Sequence, residues 1–291
     1  TGVVDEVFPE CSSQVKVIYQ YGIQTQMEEE FADINKPFNV YISGIDVKGP
    51  ITSNSRSDSN IIMSVDPKNH KILLTSTPRD YYLKIPGVSG NARDKLTHAG
   101  IYGVDVSVKT LEQLYDIDIS YYVKVNFTSM VDIIDALGGI DVYSDFEFTT
   151  RNGHFYISEG LNHMDGETAL GFARERYSFE DGDNQRGKNQ QEVIRAILDK
   201  ATTNSVLLNA DQIIASVIDG VETNMTYDEM TDLIQMQISN PSKWSIESIS
   251  AEGTGDRQKC YSSGDQELYV MWPDMDSVES VSKQINDFIN N

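Results

Sequence analysis

The alternation of hydrophobic and polar residues predicts strands and helices in turn along the chain. Short β-branched runs bounded by turn residues are typical of strands, whereas apolar residues three or four apart are typical of helices. The predicted strands lie at 38–46, 60–67, 71–80, 121–127, 140–142, 244–253 and 268–273, and the predicted helices lie at 107–117, 128–137, 187–201, 205–221, 227–238 and 275–289. We therefore expect an α/β fold with a central mixed β-sheet flanked by helices.

The predicted domain organisation is simple. At 291 residues and 32.6 kDa the chain can bury a large core, and it contains no internal repeat or convincing interdomain linker. We expect a lead-in segment at 1–36, one main domain at 37–240, and a strand–helix extension at 241–291 that packs on the same domain. The sequence has no run of about 18 apolar residues, the length that can span a bilayer. We therefore expect any membrane anchor to lie before Thr1.

The net charge of the chain argues against one class of binding partner. The chain has 45 acidic and 23 basic residues, and a formal charge of −22 argues against a nucleic-acid surface, since affinity for a phosphate backbone needs many cations.

Three arginines, Arg174, Arg176 and Arg186, nevertheless lie close together in the sequence. Arg174 and Arg176 alternate across one acid, so both side chains are predicted to leave an extended backbone on one side and hold one anion. The alternative is a helix cap whose arginines pair with neighbouring acids.

Charged residues also lie where predicted strands end, which is where ligand crevices form in open α/β sheets. Asp46 closes the first strand, while Arg56 and Asp58 precede the second. Two carboxylates there could hold a hard cation such as Mg²⁺, or they could be ordinary surface charges in an exposed turn. Arg79 follows Pro78 after the third strand and, taken alone, indicates only a solvated residue.

The start of the predicted helix 187–201 is a second candidate for anion binding. Arg186 and Gln190 are one helical turn apart and share a face. A helix start also has a positive dipole end and unsatisfied backbone N–H groups, and both favour an anion.

Six short motifs give the sequence a family resemblance. They are RSDS (56–59), TPRD (77–80), DKLTHAGIYG (94–103), ALGGIDV (136–142), LNHMDGETALGFARER (161–176) and GDNQRGKNQQ (182–191). In order and approximate spacing they resemble the LytR-CpsA-Psr family of bacterial cell-envelope proteins, from about Phe38 to about Ala201 and more loosely to the C-terminus. The resemblance implies an extracytoplasmic phosphotransferase, tethered by an N-terminal membrane helix, that moves a glycopolymer from a polyprenyl-pyrophosphate carrier to a peptidoglycan acceptor.

The resemblance also implies roles for individual residues. Asp46 and Asp58 match the Mg²⁺-associated acids of the family, so Mg²⁺ is the expected cofactor. The residues that match pyrophosphate contacts are Arg56, Arg79, Lys95, Arg174, Arg176, Arg186 and Gln190. The residues expected to be catalytic are Arg79, Asp183, Arg174 and Arg176. Asp183 is preferred as the general base because a carboxylate bound to Mg²⁺ is a poor proton acceptor.

One position departs from the family pattern. The family usually has an arginine just before the glutamine that Gln190 matches, and this chain has Asn189 there. One cation is therefore lost, and the adjacent Lys188 is a candidate substitute.

The family holds its lipid tail between the sheet and the helices, and this chain has apolar residues that suit the role. The residues expected to line the lipid groove are Met63, Leu73, Phe127, Val131 and Ile134. Without the resemblance, an apolar stripe at helical spacing is more typical of ordinary core packing.

Cys11 and Cys260 lie near opposite ends of the chain, without the close spacing of a zinc or redox motif. From the residues alone, they are either two buried free thiols or a disulfide that ties the ends together. Because the compartment that the family implies permits disulfides, we expect Cys11 and Cys260 to pair.

Two alternatives to transfer remain open at this point. A hydrolase would cut the same pyrophosphate with water, since the site residues do not identify the nucleophile. A non-catalytic protein would only bind polyprenyl phosphate, and Asn189 favours this alternative slightly. The expected location is the extracytoplasmic face of the cell membrane, toward the cell wall, and no nucleic acid is expected as a partner.

Overall fold

A computed structural model describes residues 34–47, 51, 54–180 and 182–290, apart from the side chain of Asp183. Most of the predicted lead-in segment, including Cys11, lies outside these residues. In chain order the strands are β1 (Phe38–Ile45), β2 (Ser57–Asp66), β3 (Lys71–Ser76), β4 (Tyr82–Leu83), β5 (Asp94–Lys95), β6 (Tyr121–Asn126), β7 (Ile140–Ser144), β8 (Phe148–Thr149), β9 (Tyr156–Ile157), β10 (Gly160–Met164), β11 (Val221–Thr223), β12 (Ser245–Ser250), β13 (Gly253–Lys259) and β14 (Glu267–Pro273).

The helices alternate with these strands. They are α1 (Leu96–Tyr102), α2 (Val104–Tyr115), α3 (Phe127–Ala136), α4 (Gly166–Arg174), α5 (Gly182–Ala201), α6 (Asn204–Leu207), α7 (Ala210–Val217), α8 (Tyr227–Ser239) and α9 (Met275–Asn290). Within the part of the chain that the structure describes, none of them is both long and apolar enough to cross a membrane.

The central sheet is mixed and has the strand order β11-β6-β1-β2-β3-β12. β1 runs parallel to β6, and β3 runs parallel to β12. The other neighbouring pairs are antiparallel. The predicted mixed sheet flanked by helices is thereby confirmed.

The first face of the sheet is covered by an apolar core. Tyr41, Ile62 and Leu73 extend into it from β1, β2 and β3. The helical residues that meet them come from α1, α2 and α9, and include Leu96, Ala99, Leu111, Tyr115, Val278, Val281 and Ile285. Because the buried positions of α2 and α9 recur at helical spacing, both helices could be predicted from the sequence pattern.

The second face of the sheet is crossed by α5. Val40, Met63 and Leu74 pair with one another across β1, β2 and β3, so they share this face. Gln191 of α5 donates hydrogen bonds to the carbonyl oxygens of Leu74 and Ile249 at 3.1 and 2.8 Å. A second apolar cluster joins α3, α4 and α5 and contains Ile134, Phe172 and Val193.

The sequence predicts that Leu73 and Met63 line one groove. In the structure they lie on opposite faces of the sheet. Met63 pairs with Leu74, and successive strand residues point to opposite faces. Leu73 therefore packs beside Tyr41 in the first core, where it is 4% exposed. Met63 and Leu73 therefore cannot both line one groove, and the sequence could not show this because a strand buried on both faces has no alternation to distinguish neighbouring residues.

The segment predicted as an extension, 241–291, contributes to both the sheet and the first core. β12 is the edge strand beside β3, while β13 and β14 form a hairpin. α9 packs across the first core. Residues from Ile34 to the C-terminus form one compact unit, so residue 240 does not separate two units.

Several elements differ from the sequence prediction for local reasons. α5 begins at Gly182 instead of 187, because its first turns are polar and show no apolar period. The predicted helix 205–221 is divided into α6, α7 and a 3₁₀ turn at Ile218–Gly220. α1 was not predicted because it is only seven residues long and largely buried, so its sequence has no polar face.

Gly100 in α1 permits a close backbone approach next to Arg56. A Cβ atom at Gly100 would lie 2.5 Å from the carbonyl oxygen of Ser55 and 3.0 Å from the amide nitrogen of Ser57. Both neighbours are backbone atoms, so they cannot turn away as a flexible side chain can. The segment that carries Arg56 therefore rests on α1 at a distance that only glycine allows.

We expect Gly100→Ala to lower the free energy of unfolding by about 1 to 3 kcal/mol, because the added methyl group must displace backbone. Gly187→Ala is a matched control, since Gly187 is also helical and its Cβ would meet only the Ser76 hydroxyl, at 3.3 Å. The control should leave the free energy of unfolding unchanged or raise it by up to about 1 kcal/mol through helix propensity. Urea denaturation measures both variants, and equal stability would contradict the packing argument.

Candidate functional site

Most of the site residues predicted from sequence lie near one edge of the central sheet. β1, β3 and β6 end at this edge, and the antiparallel β2 begins there. As a result Asp46 follows β1, Asp58 is at the start of β2, and Arg79 comes shortly after β3. Phe127 begins α3 directly after β6 at the same edge. Strand direction thus brings together residues that are distant in sequence.

A β-bulge sets the direction of Asp58. Gly44 pairs with Ser59 and Ile45 pairs with Ser57, so Asp58 is the additional residue on β2. Bulges re-aim the side chain that they carry and occur often beside functional sites. The Asp58 carboxylate accepts a hydrogen bond from Arg79 Nη1 at 2.6 Å. The bulge therefore provides the partner that orients Arg79.

Asp80 contacts two cations at once, and the sequence pattern does not reveal this role. Its Oδ1 lies 2.8 Å from Lys95 Nζ, and its Oδ2 lies 3.6 Å from Arg79 Nε. Asp80 is 7% exposed, so solvent screens these contacts only weakly. The structure thus brings Arg79 and Lys95 together through a shared acid, and the signal that could have found it is its place beside Arg79 in TPRD.

Lys95 is positioned from its backbone by a second buried carboxylate. Asp94 accepts hydrogen bonds from the amides of Lys95 and Ser262 at 2.8 and 2.9 Å, and its Oδ1 lies 2.6 Å from His98 Nδ1. Burial by itself raises the pKa of Asp94, but His98 and the amide donors outweigh burial, so the pKa lies below its ordinary value. The turn at Tyr261–Ser263 is thereby tied to the strand that carries Lys95.

Arg174 is the last residue of α4 and faces the end of β1. Its guanidinium carbon lies 4.0 Å from the centroid of the Phe127 ring, and its Nη2 lies 4.0 Å from Asp46 Oδ1. The aromatic contact orients the guanidinium without neutralising its charge. A separation of 4.0 Å makes the contact with Asp46 a loose ion pair, so Arg174 keeps most of its capacity to bind an anion.

Arg176 contacts different groups from Arg174. Its guanidinium carbon lies 4.6 Å from the centroid of the Tyr177 ring, and its Nη2 donates a hydrogen bond to the Tyr177 hydroxyl at 2.6 Å. The sequence predicts that the two arginines hold one anion between them. In the structure Arg174 lies against Phe127 and Arg176 against Tyr177, and the shared anion stays a prediction.

Glu175, between the two arginines, organises the loop that follows α4. It is 2% exposed. The backbone amides that donate to its carboxylate belong to Arg151, Arg176, Tyr177 and Ser178. Burial by itself raises the pKa of Glu175, but these four donors together outweigh burial and hold the pKa below its ordinary value. The sequence does not reveal this role, because a single acid between two arginines resembles an ordinary salt-bridge partner.

The start of α5 contains the remaining predicted contacts. Arg186 and Gln190 are both partly exposed on this helix. Asn189 is buried, donates through Nδ2 to the carbonyl oxygen of Phe172 at 3.1 Å, and accepts from Gln185 at 3.0 Å. Asn189 thus joins α5 to the last turn of α4 by a hydrogen bond. Arg56 is exposed directly before β2, and the side chain of Asp183 is not among those described.

The residues expected to line a lipid groove differ in burial. Met63, Phe127 and Val131 are half-buried, as is Ile42 on the same sheet face as Met63. Ile134 is fully buried in the second apolar cluster, which is the behaviour of an ordinary core residue. The half-buried members of this set are therefore Ile42 and Met63 on the second face of the sheet and Phe127 and Val131 at the start of α3.

Cys260 is a buried thiol, 3% exposed, that packs with Tyr82 and Val270. Burial raises the pKa of Cys260 to about 11, and the nearby charge of Asp94 adds to this effect. Cys11 lies outside the described residues, so the disulfide between Cys11 and Cys260 stays a prediction.

The two acids matched to a metal site each face an arginine. Asp58 pairs with Arg79, and Asp46 lies near Arg174. Mg²⁺ prefers oxygen ligands and is often bound by one or two carboxylates together with substrate phosphates. In the described ranges, no group of three or more acids, histidines and cysteines could hold a metal by itself. The donor set is therefore compatible with Mg²⁺ when phosphate oxygens of a ligand complete it.

Comparison with known proteins identifies the family. The model of the LytR_cpsA_psr family matches residues 10–285. The chain belongs to the LytR-CpsA-Psr family.

Individual members of this family resemble the chain over most of its length. A Bacillus cereus (strain ATCC 14579) protein named polyisoprenyl-teichoic acid–peptidoglycan teichoic acid transferase TagU is 37% identical over 207 residues, which cover 71% of this chain and 66% of that protein. The crystal structure of B. subtilis TagV is 29% identical with a TM-score of 0.75, and the match covers 88% of this chain and 98% of that chain. A structure of TagT bound to LIIa-WTA is 28% identical with a TM-score of 0.70, covering 91% of this chain and 95% of that chain. The chain thus spans just under two thirds of TagU.

Replacing the acid that organises the loop after α4 should affect stability in a pH-dependent way. We expect Glu175→Gln to lower the free energy of unfolding at neutral pH by about 2 to 3 kcal/mol, because one amide oxygen cannot replace a carboxylate that accepts from four amides. Since the pKa of Glu175 is lower in the folded protein than in the unfolded chain, this contribution is present at neutral pH. It is lost as the pH falls through the folded-state pKa.

Thermal unfolding from neutral pH down to about pH 3 measures this contribution, and the difference between wild type and Glu175→Gln should shrink toward acid pH. Glu180→Gln is the control, because Glu180 is exposed in the same loop. A stability difference that stays constant with pH would contradict the role assigned to the Glu175 charge.

Proposed function

We propose that this protein is an extracytoplasmic phosphotransferase that moves a glycopolymer from a polyprenyl-pyrophosphate carrier to peptidoglycan. The observation that carries the proposal is the convergence of Arg79, Lys95 and Arg174 at one sheet edge, next to half-buried apolar side chains. A cationic mouth beside an apolar wall suits an amphiphile with a phosphate end. The names of the relatives support this function, because TagU is named as a teichoic acid transferase and TagT has been solved with LIIa-WTA bound.

The proposed reaction is a displacement at phosphorus. A hydroxyl of the acceptor attacks the phosphorus nearer the sugar, and a new P–O bond forms while the bond to the bridging oxygen breaks. Polyprenyl phosphate leaves, and the hydroxyl proton passes to a general base. Negative charge increases on the bridging and equatorial oxygens, so fixed cations near these oxygens lower the barrier.

Arg79 and Lys95 suit the stabilisation of this charge because their directions are fixed in advance. Asp58 and Asp80 hold them through ion pairs of 2.6 and 2.8 Å. Donors that are already oriented need little rearrangement during the reaction, and this is the main advantage of a preorganised site. The other proposed pyrophosphate contacts are Arg56, Arg174, Arg176, Arg186 and Gln190.

Mg²⁺ is the proposed cofactor, with Asp46 and Asp58 as its protein ligands. When bound with the donor phosphates, Mg²⁺ supplies neutralisation of their charge. Each of these carboxylates also faces an arginine, so a bound cation would share Asp58 with Arg79 and Asp46 with Arg174. Asp183, in the first turn of α5, is the proposed general base.

The lipid tail is proposed to lie over the second face of the sheet, beside α3. Met63, Phe127 and Val131 are half-buried there, and Ile42 replaces Leu73 in the proposed lining. Both substrates belong to the cell envelope, so the proposal includes a membrane-anchored protein that faces the cell wall.

Transfer is tested by incubating the purified protein with a polyprenyl-pyrophosphate-linked oligosaccharide, Mg²⁺ and an acceptor glycan. Mass spectrometry should detect a new phosphodiester conjugate of oligosaccharide and acceptor, together with polyprenyl phosphate. Free sugar phosphate would identify a hydrolase, and intact substrate that stays bound would identify a binding protein. Either result would overturn the proposed transfer. A parallel reaction in EDTA tests the proposed need for Mg²⁺.

Arg174→Lys should slow transfer by about ten- to a hundred-fold, because lysine keeps the charge but loses the planar fork that binds two phosphate oxygens. The melting temperature should change little, since the stem of the side chain remains. Arg257→Lys is the matched control, because Arg257 is an exposed arginine on β13 that donates to the carbonyl oxygen of Glu267 at 3.3 Å. Steady-state rates and thermal unfolding are measured together, and a wild-type rate in Arg174→Lys would exclude a forked phosphate contact.

A further inference from the structure

Two arginines meet on one exposed tyrosine in the loop that follows α4. The guanidinium carbon of Arg151 lies 4.1 Å from the centroid of the Tyr177 ring, and that of Arg176 lies 4.6 Å from it. Tyr177 is 61% exposed, and Arg151 is also exposed. Arg151, Tyr177 and Arg176 are called the arginine–tyrosine cluster below. Arg151 and Tyr177 have no role in the site predicted from sequence.

The arginine–tyrosine cluster is built on a fixed frame. Arg151 lies in the turn between β8 and β9, and Glu175 joins this turn to the loop after α4 by accepting from the amides of Arg151 and Tyr177 at 2.5 and 2.8 Å. Beside these contacts, the rings of Phe148 and Phe179 pack edge to face with their centroids 4.9 Å apart. Both segments are therefore held in place before a ligand arrives, which lowers the entropy cost of binding.

The cluster is a local concentration of positive charge in a chain of net charge −22. The ion pairs found between described residues do not include Arg151. Glu175 is buried, and its carboxylate is occupied by backbone amides. A guanidinium stacked on an aromatic ring keeps its N–H donors in its own plane, so it can bind two oxygens of an anion while it stays stacked.

From this geometry we propose that Arg151, stacked on Tyr177 beside the proposed pyrophosphate contact Arg176, extends the site into a subsite for an anionic group of the donor glycopolymer, namely a phosphodiester or carboxylate on the units beyond the pyrophosphate. The proposal rests on the transfer function proposed above. The glycan is covalently attached at the pyrophosphate, so its first units must leave the site along neighbouring segments. The loop that carries Arg176 continues directly from Arg174, which places the cluster on such a path.

An electrostatic subsite of this kind selects donors by the charge of their repeating units. A polymer with one anion per unit gains a contact that a neutral polymer lacks, and salt screens this gain because the cluster is exposed. Binding of the acceptor should not depend on the charge of the donor units or on this cluster. The donor, its charge and the ionic strength are therefore the variables that test the proposal.

The test compares two donors that share the same lipid and first sugars. One carries a phosphodiester-linked unit, and the other is uncharged beyond the pyrophosphate. Arg151→Ala should raise the KM for the charged donor about ten-fold, as expected for one lost charge-assisted contact, and leave kcat unchanged. The KM for the uncharged donor and for the acceptor should not change. Arg151→Lys should recover part of the affinity, because it keeps the charge without the planar stacking.

Arg257→Ala is the matched control, since it removes an exposed arginine from the β13–β14 hairpin. The melting temperature of Arg151→Ala should match that of wild type, because the Glu175 contact uses the backbone amide of residue 151. Equal KM changes for both donors, no change for either donor, or a change in the acceptor KM alone would each overturn the subsite. Failure of wild-type protein to transfer either donor would overturn the proposed function instead.

A binding measurement separates the subsite from transfer altogether. A soluble glycerol-phosphate oligomer without lipid or pyrophosphate is titrated into wild type and Arg151→Ala by calorimetry. Wild type should bind more tightly, and the difference should disappear at high salt as screening increases. Identical binding by the two proteins at low salt would overturn the subsite.

Discussion

The site depends on one physical constraint. Several cations must be held in place at the edge of an apolar sheet. A cation that loses water is costly unless a fixed partner compensates it. The chain uses two kinds of partner. Carboxylates hold Arg79 and Lys95 at distances of 2.6 and 2.8 Å, whereas aromatic rings hold Arg174, Arg176 and Arg151. A carboxylate neutralises the charge that it holds in place, whereas a ring contact orients a guanidinium and leaves its charge.

The fold meets this constraint through backbone features that bring the partners together. Strand direction brings the ends of β1 and β3 to the edge where β2 begins, and the bulge at Asp58 turns its carboxylate toward Arg79. Gly100 lets the segment before β2 lie directly on α1. These features are non-local, because each depends on two segments that are distant in sequence. The precision of the site is therefore a property of the sheet and its bulge as much as of the charged residues.

Residues with a strong local period were predictable, and residues whose role depends on a distant partner were not. The apolar periods of α2, α3 and α9 and the β-branched runs of β1 to β3 indicated the mixed sheet, because burial imposes those patterns. Leu73 and Met63 were grouped on one face because a strand covered on both faces shows no alternation. Asp80 and Glu175 were missed because an acid beside an arginine is common on surfaces, and only burial with several donors distinguishes them. The motif match supplied Arg79 and Lys95, which pattern alone would have left as solvated charges.

Asn189 shows how the loss of one cation is linked to the placement of others. Where family members usually have an arginine, this chain has a buried amide that donates to the carbonyl oxygen of Phe172 in the last turn of α4. Arg174 ends the same helix, so the amide stabilises the backbone from which Arg174 extends. A charged side chain could not occupy this position without a compensating acid, because Asn189 is 3% exposed. The amide therefore supplies rigidity at the helix end from which Arg174 extends, in place of a further charge.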